Sequence, residues 1–199
     1  MVYGKATLVP QLQPLRWGML YDMASLTKVV GTTTVILKMI EQGIITLDDR
    51  VADHIPLFND QRVTVRHLLT HTSAISGYIP HRNQLPPDKL LAALDSLSVG
   101  DWFDQKVVYT DVGVIMLGQI IEKFYQAPVQ TAIQNEVLIP LGLTESTFDP
   151  IKENCVPTEM TAVRGLIQGE VHDPKAFILK EHCGSAGLFM TLNDLIKFA

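Results

Sequence analysis

An α+β fold is the class this sequence predicts, and three observations carry the prediction. The chain has 199 residues with 47% hydrophobic and 19% charged content, which suits one domain around one sizeable core. Apolar residues recur at helical spacing in several separate segments. Short extended stretches, at residues 2–9 and 107–109, stand apart from them.

Residues 2–9 read as an edge strand, and Pro10 and Pro14 break the pattern that follows. From Ser25 the set Leu26, Val29, Val30, Thr33, Ile36, Leu37 and Ile40 predicts a long helix buried on that face, with Gly43 as its stop. The run from Leu47 to Arg50 opens a short turn or helix that ends before Pro56. Thr64 is placed to cap a helix over residues 65–71, and residues 73–77 read as a loop. Pro87 at the first helical position predicts a helix over 87–97. Asp111 is expected to cap an amphipathic helix carrying Val114, Ile115, Leu117, Ile120, Ile121 and Phe124. Pro128 begins another helix that stops near Pro140, and residues 141–180 read as turn-rich and irregular. Thr191 to Asp194 looks like a capped helix start five residues before the end, which predicts a truncated chain.

The net charge of −5 comes from scattered acids, and no basic stripe suggests a nucleic-acid partner. Cys155 and Cys183 have neither a disulfide framework nor metal-ligand spacing, so both are expected to be free thiols. The N-terminus lacks a signal-peptide pattern and no apolar run reaches membrane-spanning length. The expected location is cytoplasmic as written, or extracytoplasmic if an export segment precedes Met1. No internal repeat or low-complexity segment is present.

Chemistry concentrates in Tyr21-Asp-Met-Ala-Ser25-Leu-Thr-Lys28. Ser25 and Lys28 share one helical face, and a partly desolvated lysine can take the proton from a serine. With 7 serines and 10 lysines in the chain, chance gives roughly 0.35 such pairs, so the spacing alone decides nothing. A second signal, Tyr109-Thr-Asp111, ends an extended stretch at a helix start. A phenol there can point into a cleft and relay a proton. Ser25 is the only Ser or Thr followed three residues later by Lys, and Tyr109 the only Tyr followed two later by Asn or Asp.

The flanks of both signals resemble the serine β-lactamase and penicillin-binding-protein superfamily, closest to its class C-like, esterase-related branch. The matching segments include Asp22 to Lys28, Gly43 to Asp49, Val63 to Ser73 and Tyr109 to Gly118. Pro140 to Leu143, Val171 to Pro174 and Ala186 to Phe189 follow in the family's order. The resemblance implies a β-lactamase/transpeptidase-like α+β fold: a helix-rich region over about 44–180 packed on an antiparallel sheet that residues 1–199 contain only partly. It implies an acyl-enzyme on Ser25, with Lys28 and Tyr109 sharing the proton transfers and the Ser25 backbone N–H as one oxyanion donor. Asp111 and Ser185 are the implied substrate-binding residues, and no cofactor is implied. The expected partner is a small molecule or peptide with a reactive carbonyl: a β-lactam, a D-amino-acid peptide or a small ester.

Two departures from the family pattern stand out. The family's third motif, a Lys-Thr-Gly or His-x-Gly triplet on a C-terminal edge strand, is not found beyond the Ala186–Phe189 segment that it normally follows, so one wall of the cleft is expected to be missing. Asp111 stands where the lactamases usually carry Asn, and a carboxylate accepts hydrogen bonds where an amide can also donate. Asp111 is expected to keep Lys28 charged, moving the base role toward Tyr109 and favouring an esterase or weak peptidase. The alternative reading is a penicillin-binding or cell-wall-peptide-binding module with little turnover. His67 and His71 are four apart, but Leu68 stands where zinc proteases place Glu and no third ligand appears, so packing is the expected role. His182 is expected to border the cleft and His172 to brace a turn.

Overall fold

A computed structural model describes all 199 residues. Its element order mixes seven α-helices with eight very short strands that form four separate antiparallel pairs. Near the N-terminus, β1 (Lys5–Thr7) pairs with β2 (Gln13–Pro14). Next, β3 (Tyr21–Asp22) runs into a helix whose first part, Lys28–Thr33, is wound as π-turns and whose second, α1, is Thr34–Glu41. Gly43 follows with φ of 70°, the left-handed conformation that ends a helix.

The buried face of this helix overlaps the predicted one only in part. Val30, Val35, Ile36 and Met39 enter the core, whereas Leu26, Val29 and Leu37 are about half exposed at 50%, 56% and 54%. Val30 and Ile36 of the predicted set are buried and Ile40 packs on the core, joined there by Val35 and Met39.

Thr64 precedes α2 (Val65–Leu69) and His67 returns a ring nitrogen to its backbone N–H at 3.1 Å, closing a capping box. Residues 73–77, expected as a loop, contain β4 (Ile75–Ser76), which pairs with β5 (Ser98–Val99) beyond α3 (Pro87–Asp95). The central helix is α4 (Asp111–Tyr125); α5 (Val129–Ile133) continues through π-turns at Gln134–Leu138. Within 141–180, a hairpin of β6 (Glu159–Thr161) and β7 (Gly165–Ile167) and helix α6 (Pro174–Leu179) replace the predicted irregular chain. Finally β8 (Phe189–Met190) pairs with β3, and α7 (Leu192–Phe198) starts at the predicted Thr191 cap.

The main core joins the helix of residues 28–41 to α2, α4 and α5. A second cluster, built from Leu90, Leu94, Ile115, Ala176, Leu179, Cys183 and Ala186, ties α3 and α6 to the middle of α4. The segment 183–188 lies between the two clusters and is sewn to the helix above it. Thr32 donates its hydroxyl to the Gly184 carbonyl at 2.6 Å, and the Leu188 N–H reaches the Thr27 hydroxyl at 3.2 Å. No helix is long and apolar enough to cross a membrane.

Candidate active site

Strand β3 delivers Ser25 through one strained residue. Ala24 has φ of 43°, and its N–H donates to Asp22 Oδ1 at 2.8 Å. The other Asp22 oxygen accepts the His172 N–H at 2.8 Å, so one carboxylate fixes both the turn before Ser25 and the chain opposite. The Ser25 N–H has no acceptor within the protein, whereas its carbonyl receives the Lys28 N–H at 3.1 Å.

Lys28 is buried to 5% exposure, and its ammonium is fully used. It donates to Ser25 Oγ at 2.9 Å, to the Ser185 carbonyl at 2.9 Å and to Asp111 Oδ1 at 2.7 Å. A lysine ammonium has three N–H donors and no acceptor, so this arrangement fits the charged form. Ser25 Oγ accepts from it and keeps its own proton free to point elsewhere.

Tyr109 stands over the same ammonium. Lys28 Nζ lies 5.2 Å from the centre of its ring, and the Tyr109 hydroxyl makes no hydrogen bond to Ser25 or Lys28. The stretch before α4 is pinned by His71, whose carbonyl accepts from the Val108 N–H at 2.8 Å and whose ring stacks tilted on Tyr109 at 4.8 Å. Burial holds the His71 imidazole below its ordinary pKa, and the nearby Lys28 charge pushes the same way. The His71 ring walls the cleft beside Tyr109. Met23, Ser25, Lys28, Val29, His71 and Tyr109 are among the residues lining this cleft of about 520 Å³.

The cap of α4 corrects the sequence expectation. Thr110, not Asp111, is the N-cap: its hydroxyl accepts the Val112 N–H at 3.2 Å. Asp111 is the first helical residue, and its carboxylate is free to turn into the site. There it is shared between two lysines, Lys28 on Oδ1 and Lys175 on Oδ2 at 2.9 Å. Burial pushes this carboxyl up, but the hydrogen bonds from Lys28 and Lys175 outweigh it and hold it below its ordinary value. Burial likewise disfavours the Lys175 charge, and Asp111 with Asp173 more than restores it, leaving Lys175 above its ordinary value.

Ser185 meets the site through its backbone. Its hydroxyl is buried and lies 3.3 Å from Cys183 Sγ, so the carbonyl on Lys28 is the part that shapes the cleft. Both cysteines are free and buried; burial pushes Cys155 up to about 11 and raises Cys183 as well. His172 offers its ring to Glu159 at 2.6 Å, and His182 faces Glu122 at 2.9 Å. No three metal-ligating side chains converge anywhere in the structure. Lys175, Asp22 and Thr110 were missed by the sequence reading. A lysine in the first turn of a Pro-led helix, where the helix dipole opposes a cation, was the one signal available for Lys175.

A putative D-alanyl-D-alanine carboxypeptidase of Escherichia coli (strain K12) is 29% identical over 97% of the chain and 52% of its own length. A solved class C beta-lactamase superposes with a TM-score of 0.78 at 23% identity, covering 98% of this chain and 53% of that one. A D-stereospecific amidohydrolase from Streptomyces sp. gives a TM-score of 0.70 at 26% identity over 90% of this chain and 59% of the other. The chain thus spans about half the length of the curated relatives it matches, such as the 52% covered of the carboxypeptidase. The fold is β-lactamase/transpeptidase-like, and the family description Beta-lactamase matches residues 2–199. With its buried lysine against the serine at the head of the long helix, the chain belongs to the Beta-lactamase family, within the serine β-lactamase and penicillin-binding-protein superfamily.

Proposed function

We propose that residues 1–199 form the nucleophile-bearing part of a single β-lactamase-like domain whose reaction is acyl transfer to Ser25. The observation that carries this reading is the 2.9 Å contact between Ser25 Oγ and a buried Lys28 ammonium. A buried, fully hydrogen-bonded lysine is costly unless its charge is used, and here it is aimed at a hydroxyl that opens onto a cleft.

In the proposed reaction, Ser25 Oγ attacks a substrate carbonyl carbon. The new C–O bond forms as the carbonyl π electrons move onto oxygen, beside the Ser25 N–H at the head of the helix. The serine proton leaves through Lys28 and Tyr109, and the same pair returns a proton to the departing nitrogen or oxygen. Lys28 has to release one of its own protons before it can take Ser25's, because all three donors are engaged. In this path Tyr109, whose ring stands over the ammonium, has to bring its hydroxyl within hydrogen-bond reach of Lys28 to carry that proton to solvent. Water then hydrolyses the acyl ester and frees Ser25.

The substrate classes are β-lactams, D-amino-acid amides or peptides, and small esters. Similarity to a D-alanyl-D-alanine carboxypeptidase and a D-stereospecific amidohydrolase supports testing D-configured amides first. The test is intact-protein and peptide mass spectrometry after incubation with a fluorescent penicillin, a D-amino-acid amide and a short-chain ester. Labelling is expected on Ser25, and Ser25→Ala should reduce it by on the order of 10³-fold or more. A stable adduct without repeated turnover would instead identify a binding module. Labelling that survives Ser25→Ala would overturn the assignment of the nucleophile.

A further inference from the structure

Lys175 sits where local rules disfavour it. It occupies the second helical position of α6, next to the partial positive charge of the helix N-terminus, and its side chain is only 12% exposed. The N-cap of the same helix, Asp173, spends one oxygen on the Ala176 N–H at 2.9 Å and offers the other to Lys175 at 3.4 Å. The shorter contact is across the cleft floor, to Asp111 Oδ2 at 2.9 Å. Lys28 holds the other oxygen of that carboxylate at 2.7 Å. A residue that breaks a local rule at a candidate site invites a functional explanation.

Building on the Ser25 acyl-transfer reading, we propose that Lys175 is a positioning residue that divides the Asp111 carboxylate with Lys28 and so sets how readily Lys28 gives up a proton. The physical logic is competition for one negative charge. A carboxylate serving Lys28 alone would stabilise its ammonium with both oxygens. With Lys175 on Oδ2, half of that interaction is spent elsewhere, and a second cation stands near the first. Every charged or titratable group facing this pair takes part in the balance. Tyr109 comes from the stretch before α4, Asp111 from its first turn, and His71, whose pKa burial lowers, from the loop after α2. Arg82 acts on Lys175 from the turn before α3, Asp173 from the α6 cap, and Cys183 lies beneath Ser185. Among these, only Asp111 touches both lysines.

The test joins a charge measurement to a rate measurement. In the full chain, Lys175→Met, Lys175→Arg, Asp111→Asn and the double variant Asp111→Asn/Lys175→Met are compared. Carbon-13 carboxyl NMR of Asp111 reads the sharing without any need for activity. In Lys175→Met its titration midpoint should rise toward the ordinary carboxylate value, and in Lys175→Arg it should stay near the wild type. Ser25 acylation by the ester probe, followed against pH, reads the consequence. Losing Lys175 leaves Asp111 to Lys28 alone, favours the ammonium and moves the acid limb of the rate profile to higher pH. The expected move is about one pH unit, or about tenfold slower acylation at a fixed pH on that limb. Lys175→Arg should restore the limb, and in the Asp111→Asn background Lys175→Met should move it much less, because only the direct repulsion between the two cations is then relieved. An acid limb unchanged in Lys175→Met, or displaced equally with and without Asp111, would overturn the proposal and leave Lys175 a structural ion pair. Complete absence of Ser25 labelling in every variant would overturn the hydrolase reading. In that event an Asp111 midpoint unmoved by Lys175→Met would separately show that the carboxylate is not shared.

Discussion

Gly184 shows how little room the floor of the site has. A methyl group there would stand 2.8 Å from the Thr32 hydroxyl oxygen, 3.1 Å from the Val114 carbonyl and 3.3 Å from the Gly118 Cα. The last two neighbours are helix backbone and cannot step aside as a flexible side chain would. Gly184→Ala is therefore expected to lower stability by about 1–3 kcal/mol, measured by urea unfolding. It should also disturb the adjacent Ser185 carbonyl, one of the three acceptors on Lys28. At this scale the sequence was readable where chemistry is local. Ser25 and Lys28 are three residues apart, and helical spacing alone puts them in contact. Lys175 is far from Lys28 in sequence, and nothing in its neighbours names Asp111 as its partner. Ser185 was visible as a residue of the site, but a hydroxyl turned toward Cys183 cannot be read from residue order.

Between elements, a buried carboxylate links α3 to α4. Asp95, 4% exposed, accepts from Gln119 Nε2 at 2.7 Å. Burial raises its pKa, and the Gln119 hydrogen bond only partly offsets that. A carboxyl with a raised folded-state pKa adds no penalty below its unfolded value and weakens the fold as pH rises through its folded value. Asp95→Asn keeps an acceptor for Gln119 and removes the charge. Thermal melts should show the variant equal to the wild type below the ordinary carboxylate range and progressively more stable above it. Equal melting temperatures at neutral pH would contradict this account. Long, strongly periodic elements such as α4 were legible because their period is sustained, although the cap of α4 stands one residue earlier than expected. The pairs β4–β5 and β6–β7 were not, because strands of two or three residues are too short to show a period. The helix of residues 28–41 was found, with Val30 and Ile36 buried as expected and Leu26, Val29 and Leu37 facing out, since apolar residues stand on more than one of its sides.

For the whole molecule, protection should follow the two clusters rather than the chain order. Eight residues of α4 are buried, more than in any other helix, and it contributes to both clusters, whereas most of residues 1–18 are exposed. Native-state hydrogen exchange should find the slowest amides in α4 and the fastest in β1, β2 and their turn. Comparable rates in the two regions would argue against a core centred on α4. The α+β class was readable from the residues, but the closeness of the two lysines depends on how α6 docks against α4, which no single segment encodes. Asp22 gives that docking a mechanical reference. Its two oxygens hold the residue before Ser25 and the His172 backbone, three positions before Lys175. The nucleophile and the second cation therefore hang from the same anchor, so a displacement of β3 carries both together. The spacing between the serine and the second cation is held as in a jig, by one short side chain added to the packing of α6 on α4.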